Sequence, residues 1–172
     1  MSDSSISVLF VCLGNICRSP LAEGVFRDVL DEHGLGDRFR LDSAGTGAWH
    51  IGAAPDRRAI AVAARHGVDI SGLRGRQVEP ADFSRFDHVM CMDARNLRVL
   101  RQLSPLNAPT KAHLFMEYAG LGEVDVPDPF YGSDEGFETV YQMIREASEA
   151  LATRFAEREG SALMRGQASS IT

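Results

Sequence analysis

The sequence predicts an α/β fold, a four-stranded parallel sheet flanked by helices on both faces. Two observations carry that expectation. Short apolar segments of strand length alternate with segments whose apolar residues recur at helical spacing, the order that builds βαβ units. The first apolar segment, residues 6–11 (ISVLFV), is nearly continuous, which marks a strand buried on both sides rather than one with a wet face. No internal repeat and no linker suggests a second domain, and 172 residues suit one domain with a sizeable core.

The elements follow in order. After the first strand, Ser19 and Pro20 read as the N-cap and first position of a helix. Leu21, Val25 and Val29 lie at helical spacing, and Gly34 and Gly36 stop the helix. Residues 38–45 (RFRLDSAG) are the second strand. Residues 55–67 (PDRRAIAVAARHG) form a helix opened by Pro55 and closed by Gly67. A third strand over 86–92 (FDHVMCM), a helix over 93–103 (DARNLRVLRQL) and a fourth strand over 111–116 (KAHLFM) complete the alternation. Residues 118–133 are a loop rich in Gly, Pro and Asp. The last helix takes Ser133 as its cap and Asp134 and Glu135 in its first turn, where acidic groups suit the helix dipole. Its apolar face is Phe137, Val140, Tyr141, Ile144, Leu151 and Phe155. The domain is expected to span residues 1–157. Residues 158–172 lack a sustained period and read as a fraying tail.

Composition narrows the function. Hydrophobic residues make up 44% and charged residues 24%, an ordinary globular balance. Eighteen basic against twenty-four acidic residues leave a net charge of −6, which argues against a nucleic-acid partner without forbidding a locally positive pocket. Three cysteines, Cys12, Cys17 and Cys91, are no disulfide framework and point to a reducing compartment. The polar start MSDSS has no basic region, and the run over 6–11 is too short for a signal-peptide core. No stretch approaches the ~20 apolar residues of a membrane helix. A soluble cytoplasmic protein with no membrane partner is expected.

Residues 10–20 (FVCLGNICRSP) concentrate the chemistry, and they fall after the first strand, where sheets of this class bind ligands. A metal would need two more ligands beside Cys12 and Cys17; Cys91 lies in an apolar strand, and no His cluster has zinc-like spacing. A Walker loop would end in Gly-Lys-Ser/Thr, and a dinucleotide fingerprint would need three glycines where only Gly14 stands. The nucleophile reading fits best. Cys12 ends a strand, five residues separate it from Arg18, and a helix follows at once. Such a loop can turn the successive N–H groups of Leu13, Gly14, Asn15, Ile16 and Cys17 inward as an anion nest beside a helix N-terminus. Gly14 and Asn15 tolerate left-handed backbone. Arg18 can offer a planar fork to phosphate oxygens, and the same positive field favours a thiolate at Cys12. Ser19 can donate its hydroxyl to that sulfur. A buried, inert Cys12 beside a surface arginine is the plainer alternative, and the agreement of six residue types between one strand and one helix weighs against it.

The stretch VCLGNICRSPLAE resembles the loop of the low-molecular-weight protein tyrosine phosphatases. The likeness continues in DSAGTGAWHIG (42–52), PDRRA (55–59), RHG (65–67), FDHVMCMD (86–93) and DPFYG (128–132), covering most of residues 6–157. It implies a flavodoxin-like fold of the phosphotyrosine phosphatase I type and a metal-independent enzyme that needs no cofactor. It implies hydrolysis of phosphotyrosine and aryl phosphates through a phosphocysteine, with inorganic phosphate as product. Tyrosine-phosphorylated proteins, a tyrosine kinase among them, are the implied partners.

The residue roles it implies are these. Cys12 is the nucleophile, and Arg18 binds the phosphoryl oxygens. Of the two carboxylates in DVPDPFYG, Asp125 and Asp128, the resemblance selects Asp128 as general acid. Asp128 also lies between Pro127 and Pro129, which stiffens its backbone. Ser43 holds the loop Asn15, and His66 joins that network; on their own, Ser43 would be a turn serine and His66 a helix-end residue. Trp49, Phe130 and Tyr131 wall the pocket with flat rings suited to a phenyl group. Ile16 stands where phosphoarginine-directed relatives carry Thr, which points to the tyrosine-directed branch. Cys17 is either a neutral packing residue or the redox partner that protects Cys12 as a disulfide. Two rivals remain for test. An arsenate reductase of this fold would need a further relay cysteine pair. A binding module without catalysis would have lost Cys12, Arg18 or the acid.

Overall fold

The central strand of the sheet is β1, Ile6–Cys12, and it carries residues of both cores. The computed structural model describes residues 5–169 and the side chains of residues 5–158. Strand β1 pairs in parallel with β2 (Phe39–Gly45) on one side and β3 (His88–Cys91) on the other, and β4 (Ala112–Leu114) closes the far edge in the order β2-β1-β3-β4. Successive residues of a strand point to opposite faces. Accordingly Val8, Phe10 and Cys12 enter the larger apolar cluster, while Leu9 and Val11 enter the second. All five are at most 2% exposed, so the continuous apolar run is explained by helices on both faces.

The larger cluster is covered by α1 (Arg18–Glu32), α2 (Arg57–Arg65) and α6 (Asp134–Ser169), the smaller by α3 (Asp82–Arg85) and α4 (Ala94–Leu103). Phe10 sits edge-on to Phe26 of α1 at 5.7 Å and to Phe115 at 5.2 Å between ring centroids. Burying each such side chain is worth about 1.5–3 kcal/mol, so the helix that follows the cysteine loop is fastened to the strand that precedes it. That clamps the loop at both ends.

Several boundaries differ from the sequence reading, each for a reason. Helix α1 begins at Arg18, with Cys17 rather than Ser19 in the capping position, because the Ser19 hydroxyl is engaged by the site. Helix α2 begins after Asp56, whose side chain accepts from the Arg58 N–H at 2.8 Å; Pro55 lies outside it. Strand β4 stops at Leu114, and a short helix α5 (Phe115–Tyr118) replaces its expected end. Phe115 and Met116 both pack into the larger cluster, which neighbours in an extended strand cannot do. Gly34, with φ 72°, stops α1 in the left-handed conformation that glycine allows. Helix α6 runs to Ser169, past residue 157 where the apolar period ends; residues 170–172 lie outside the described residues. Among the described residues no helix is long and apolar enough to cross a membrane.

Candidate active site

The carboxyl ends of β1, β2 and β3 converge on one loop, residues 12–19. Its carbonyls face outward. Those of Cys12, Leu13 and Ile16 accept from the N–H groups of Thr46 (2.9 Å), Gly47 (2.9 Å) and Asp56 (2.8 Å). Among the described residues, the N–H groups of Leu13, Gly14, Ile16 and Cys17 make no backbone hydrogen bond, so they are available as anion donors. Gly45 lets β2 approach this closely, since a Cβ there would stand 2.8 Å from the Leu13 carbonyl oxygen. Of Gly14 and Asn15, the two residues that tolerate left-handed backbone, Asn15 is the one that adopts it, at φ 57°. Asn15 is only 3% exposed, and its side chain holds the conformation in place.

That side chain is the hub of the site. Its Oδ1 accepts from the Arg76 N–H at 3.0 Å, so both amide hydrogens point the other way. They go to Ser19 Oγ at 2.7 Å and Ser43 Oγ at 3.0 Å. Ser19 Oγ, already accepting, has its own proton to give to Cys12 Sγ, 3.1 Å away, with the Ala44 carbonyl at 3.4 Å as the longer alternative. The sulfur also receives the Asn15 and Ser19 N–H groups at 3.3 and 3.4 Å. Three donors thus converge on one sulfur.

Arg18 is 2% exposed. Its Nη1 donates to Asp93 Oδ2 at 2.6 Å and to the Val126 carbonyl at 2.9 Å, and Nη2 lies 3.6 Å from Asp128 Oδ2. Burial opposes its charge, but Cys12, Asp93 and Asp128 outweigh burial and hold the guanidinium above its ordinary value. Nη1 is therefore committed to the protein, and Nη2 is the group left nearest the pocket.

A cavity of about 450 Å³ opens over the sulfur. Cys12, Leu13, Gly14, Ile16, Cys17 and Arg18 form its floor, and Trp49, His50, Asp128, Phe130 and Tyr131 its walls. Trp49 is 71% and Tyr131 93% exposed, so these rings stand at the mouth. A larger cavity of about 510 Å³, lined by Arg57, Arg58 and Arg65 of α2, contains no nucleophile. The two carboxylates of the stretch DVPDPFYG separate cleanly. Asp128 lines the cavity, whereas Asp125 Oδ1 accepts from the Ala94 N–H at 3.1 Å, at the start of α4. Burial first, then Asp56, Cys12 and Asp128, push the Cys17 thiol far up. Burial likewise pushes Cys91 up to about 12. Both are neutral thiols. Among the described residues no group of three His, Cys, Asp or Glu could hold a metal ion.

One expected residue lies elsewhere. His66 does not join the Asn15 network. It ends α2, its Nε2 meets the Glu138 carboxylate at 2.8 Å, and its ring stacks on Tyr141 at 3.9 Å, so it fastens α2 to α6. The backbone N–H of Arg76 completes the network instead. Arg76 is itself gripped by the fully buried Asp82 at 3.0 Å through two nitrogens and by Asp42 at 2.9 Å. Sequence reasoning missed Arg76, His50 and Asp93. For Asp93 there was a signal: Asp followed three residues on by Asn opens α4 with a capping box. Its Oδ1 caps the helix while Oδ2 holds Arg18.

A sequence model described as low molecular weight phosphotyrosine protein phosphatase matches residues 7–161. A low molecular weight protein-tyrosine-phosphatase of Streptomyces coelicolor is 46% identical over 156 residues, 88% of this chain and 94% of that one. The crystal structure of YfkJ from Bacillus subtilis superimposes with a TM-score of 0.83 at 39% identity, over 92% of this chain and 99% of that one. The YwlE arginine phosphatase shares the fold alone, with a TM-score of 0.80 at 23% identity and 88% and 96% of the two chains covered.

Proposed function

Since the chain belongs to the low molecular weight phosphotyrosine protein phosphatase family, we propose that it hydrolyses phosphotyrosine monoesters by two displacements at Cys12, without a metal. The observation that carries this reading is the single cavity in which a triply hydrogen-bonded sulfur, a buried arginine and one carboxyl group meet. In the first step the Cys12 thiolate forms a bond to phosphorus as the ester oxygen leaves, and Asp128 gives that oxygen its proton. The loop N–H groups and Arg18 hold the three phosphoryl oxygens as their charge redistributes. In the second step Asp128, now a carboxylate, takes a proton from water. The water oxygen attacks phosphorus and the sulfur leaves as thiolate, accepting the Ser19 proton as a hydrogen bond. Inorganic phosphate is the product.

The aromatic mouth and the apolar Ile16 on the floor favour a phenyl ester. Tyrosine-phosphorylated proteins, a tyrosine kinase among them, are the substrates of this reading, the cytoplasm is its setting, and residues 1–157 are its domain. Cys17 completes it as a redox guard. Peroxide converts the Cys12 thiolate to a sulfenic acid, the Cys17 thiol condenses with it to a disulfide and water, and a thiol reductant restores both.

The test is p-nitrophenyl phosphate hydrolysis in EDTA. Wild type should turn over, and Cys12→Ser should lose activity by about four orders of magnitude or more while still binding phosphate. A chelator-sensitive wild type, or an active Cys12→Ser, would defeat the proposal. Tight phosphate binding with no turnover by wild type would establish a binding module.

A further inference from the structure

Helix α2 lines a second cavity, of about 510 Å³, that the two displacements at Cys12 leave unused. Arg57, Ala61 and Arg65 border it at intervals of four residues, so they share one face of the helix. We propose that this groove is the docking surface for acidic side chains that flank the phosphotyrosine of a protein substrate, with Arg57 and Arg65 as the residues that select them; this deepens, and rests on, the phosphotyrosine reading of Cys12.

The positive charge on this face is uncommitted. Among the described residues, the guanidinium groups of Arg57 and Arg65 make no hydrogen bond, ion pair or ring contact, and both residues are exposed. Arg58 differs. Its Nε and Nη2 each lie 3.1 Å from an oxygen of Asp56, and its guanidinium sits 4.6 Å over the Phe137 ring. Of the two carboxylates that line the groove, Asp56 is therefore tied to Arg58. Asp134, at the start of α6, is the one left to face two free arginines. On a chain of net charge −6, such a local excess of positive charge draws an acidic partner. A guanidinium fork matches a carboxylate in shape as well as charge. Arg57 and Arg65 are about 12 Å apart along the helix axis at 1.5 Å per residue, a span that about four residues of an extended peptide cover. The small Ala61 leaves the space between them open.

The groove adjoins the pocket over Cys12 through one wall. Arg58 lines the groove and Phe130 lines the pocket. Arg58 Nη2 donates to the Phe130 carbonyl at 2.9 Å, and the guanidinium carbon lies 5.6 Å from the centre of the Phe130 ring. Asp56, which also lines the groove, gives its backbone N–H to the Ile16 carbonyl of the nucleophile loop at 2.8 Å. A chain whose phosphotyrosine ring enters the aromatic mouth thus brings its neighbouring residues within reach of α2. Arg98 and Arg101 of α4 border another cavity, of about 430 Å³, but α4 covers the smaller cluster on the opposite face of the sheet. Exposed ion pairs are individually weak, and they hold substrate and transition state equally, so they act on KM rather than on kcat.

The experiment uses peptides with one central phosphotyrosine, flanked on both sides by glutamates or, as neutral isosteres, by glutamines. Wild type should show a kcat/KM roughly three- to tenfold higher for the glutamate peptide, carried by KM, the worth of two exposed ion pairs. The gap should close as NaCl rises from about 50 mM to about 1 M, where the screening length falls to about 3 Å. Arg57→Ala with Arg65→Ala should erase the gap by weakening the glutamate peptide alone, while the glutamine peptide and p-nitrophenyl phosphate are turned over as before. Arg98→Ala with Arg101→Ala removes the same charge from the far face and should keep the gap. A wild type that does not distinguish the peptides, or a gap that survives in the α2 variant, overturns the proposal. So does an equal loss in the α4 variant, which would assign the effect to net charge. A protein that hydrolyses neither the peptides nor the small ester fails the phosphatase reading. Fluorescence anisotropy of the same peptides, labelled, then still gives the ratio of affinities and decides the groove by the same outcomes.

Discussion

The two loops that build the pocket are made in opposite ways. The nucleophile loop, residues 12–19, is clamped between β1 and α1, has its carbonyls tied outward, and keeps Asn15, Arg18 and Ser19 at or below 3% exposure. The acid loop around Asp128 is open. The Asp128 side chain is 38% exposed, Tyr131 stands in solvent, and the long clamp on the loop is Arg58 of α2, which donates to the Phe130 carbonyl at 2.9 Å and the Gly132 carbonyl at 3.3 Å. The difference follows from the work proposed for each. A loop that holds an anion must have its donors in place beforehand, because reorganising them would oppose the reaction. A loop that delivers a proton and then admits water must stay reachable.

The comparison can be broken most sharply at Asp128. Asp128→Ala should lower kcat by about 10²–10³, the usual worth of a general acid, with phosphate inhibition nearly unchanged. Asp125→Ala should leave kcat within about threefold and instead reduce stability by about 1 kcal/mol, the size of a lost helix-end contact. Parallel kinetics and urea titrations on both variants check this, and equal kinetic losses would move the acid assignment.

Next comes the anchor of the rigid loop. Asp93→Ala strands the buried Arg18 charge and uncaps α4 in one change, so it should destabilise by about 3 kcal/mol or more, seen as a lower urea midpoint. A loss under about 1 kcal/mol would show that Arg18 is held by its other contacts.

A smaller effect should appear on α1, the helix that clamps the same loop. Burial on folding raises the Glu23 carboxyl from its ordinary 4.5 to about 7. The folded state then keeps a proton that the unfolded chain has already released, so stability falls as pH rises through that interval. Relative to Glu23→Gln, wild type should lose about 1–2 kcal/mol between pH 4.5 and pH 7.5, discounting the full shift for partial exposure. Urea midpoints at the two pH values measure it, and a difference that grows the other way would refute the assignment.

The smallest change is expected at the clamp of the open loop. Arg58→Ala should reduce kcat/KM severalfold, about 1 kcal/mol, the size of the hydrogen bonds removed, with Cys12 alkylation unaltered. A slower alkylation as well would mean that the two loops are not independent.

Much of this architecture is legible along the chain. The apolar run of β1, the helical period after it, and the glycines that end the segments are local features, and they suffice to place Cys12 at a strand end. Where local features mislead, a residue is claimed by something distant. Ser19 looks like a helix cap, but the site takes its hydroxyl. Phe115 and Met116 look like strand residues, but packing bends them into a turn of helix.

By itself, then, the sequence determined the alternation of strands and helices, the place of the cysteine loop between a strand and a helix, and the family to which the chain belongs, because spacing and residue type are properties of neighbours. Only the tertiary structure decided that His66 fastens α2 to α6 and that an Arg76 backbone N–H holds Asn15. It alone separated Asp125 from Asp128 by their surroundings and set Asp93 against Arg18. A hydrogen bond or an ion pair depends on a few ångströms of distance, and residues 61 or 75 positions apart come within that distance only when the whole sheet has formed.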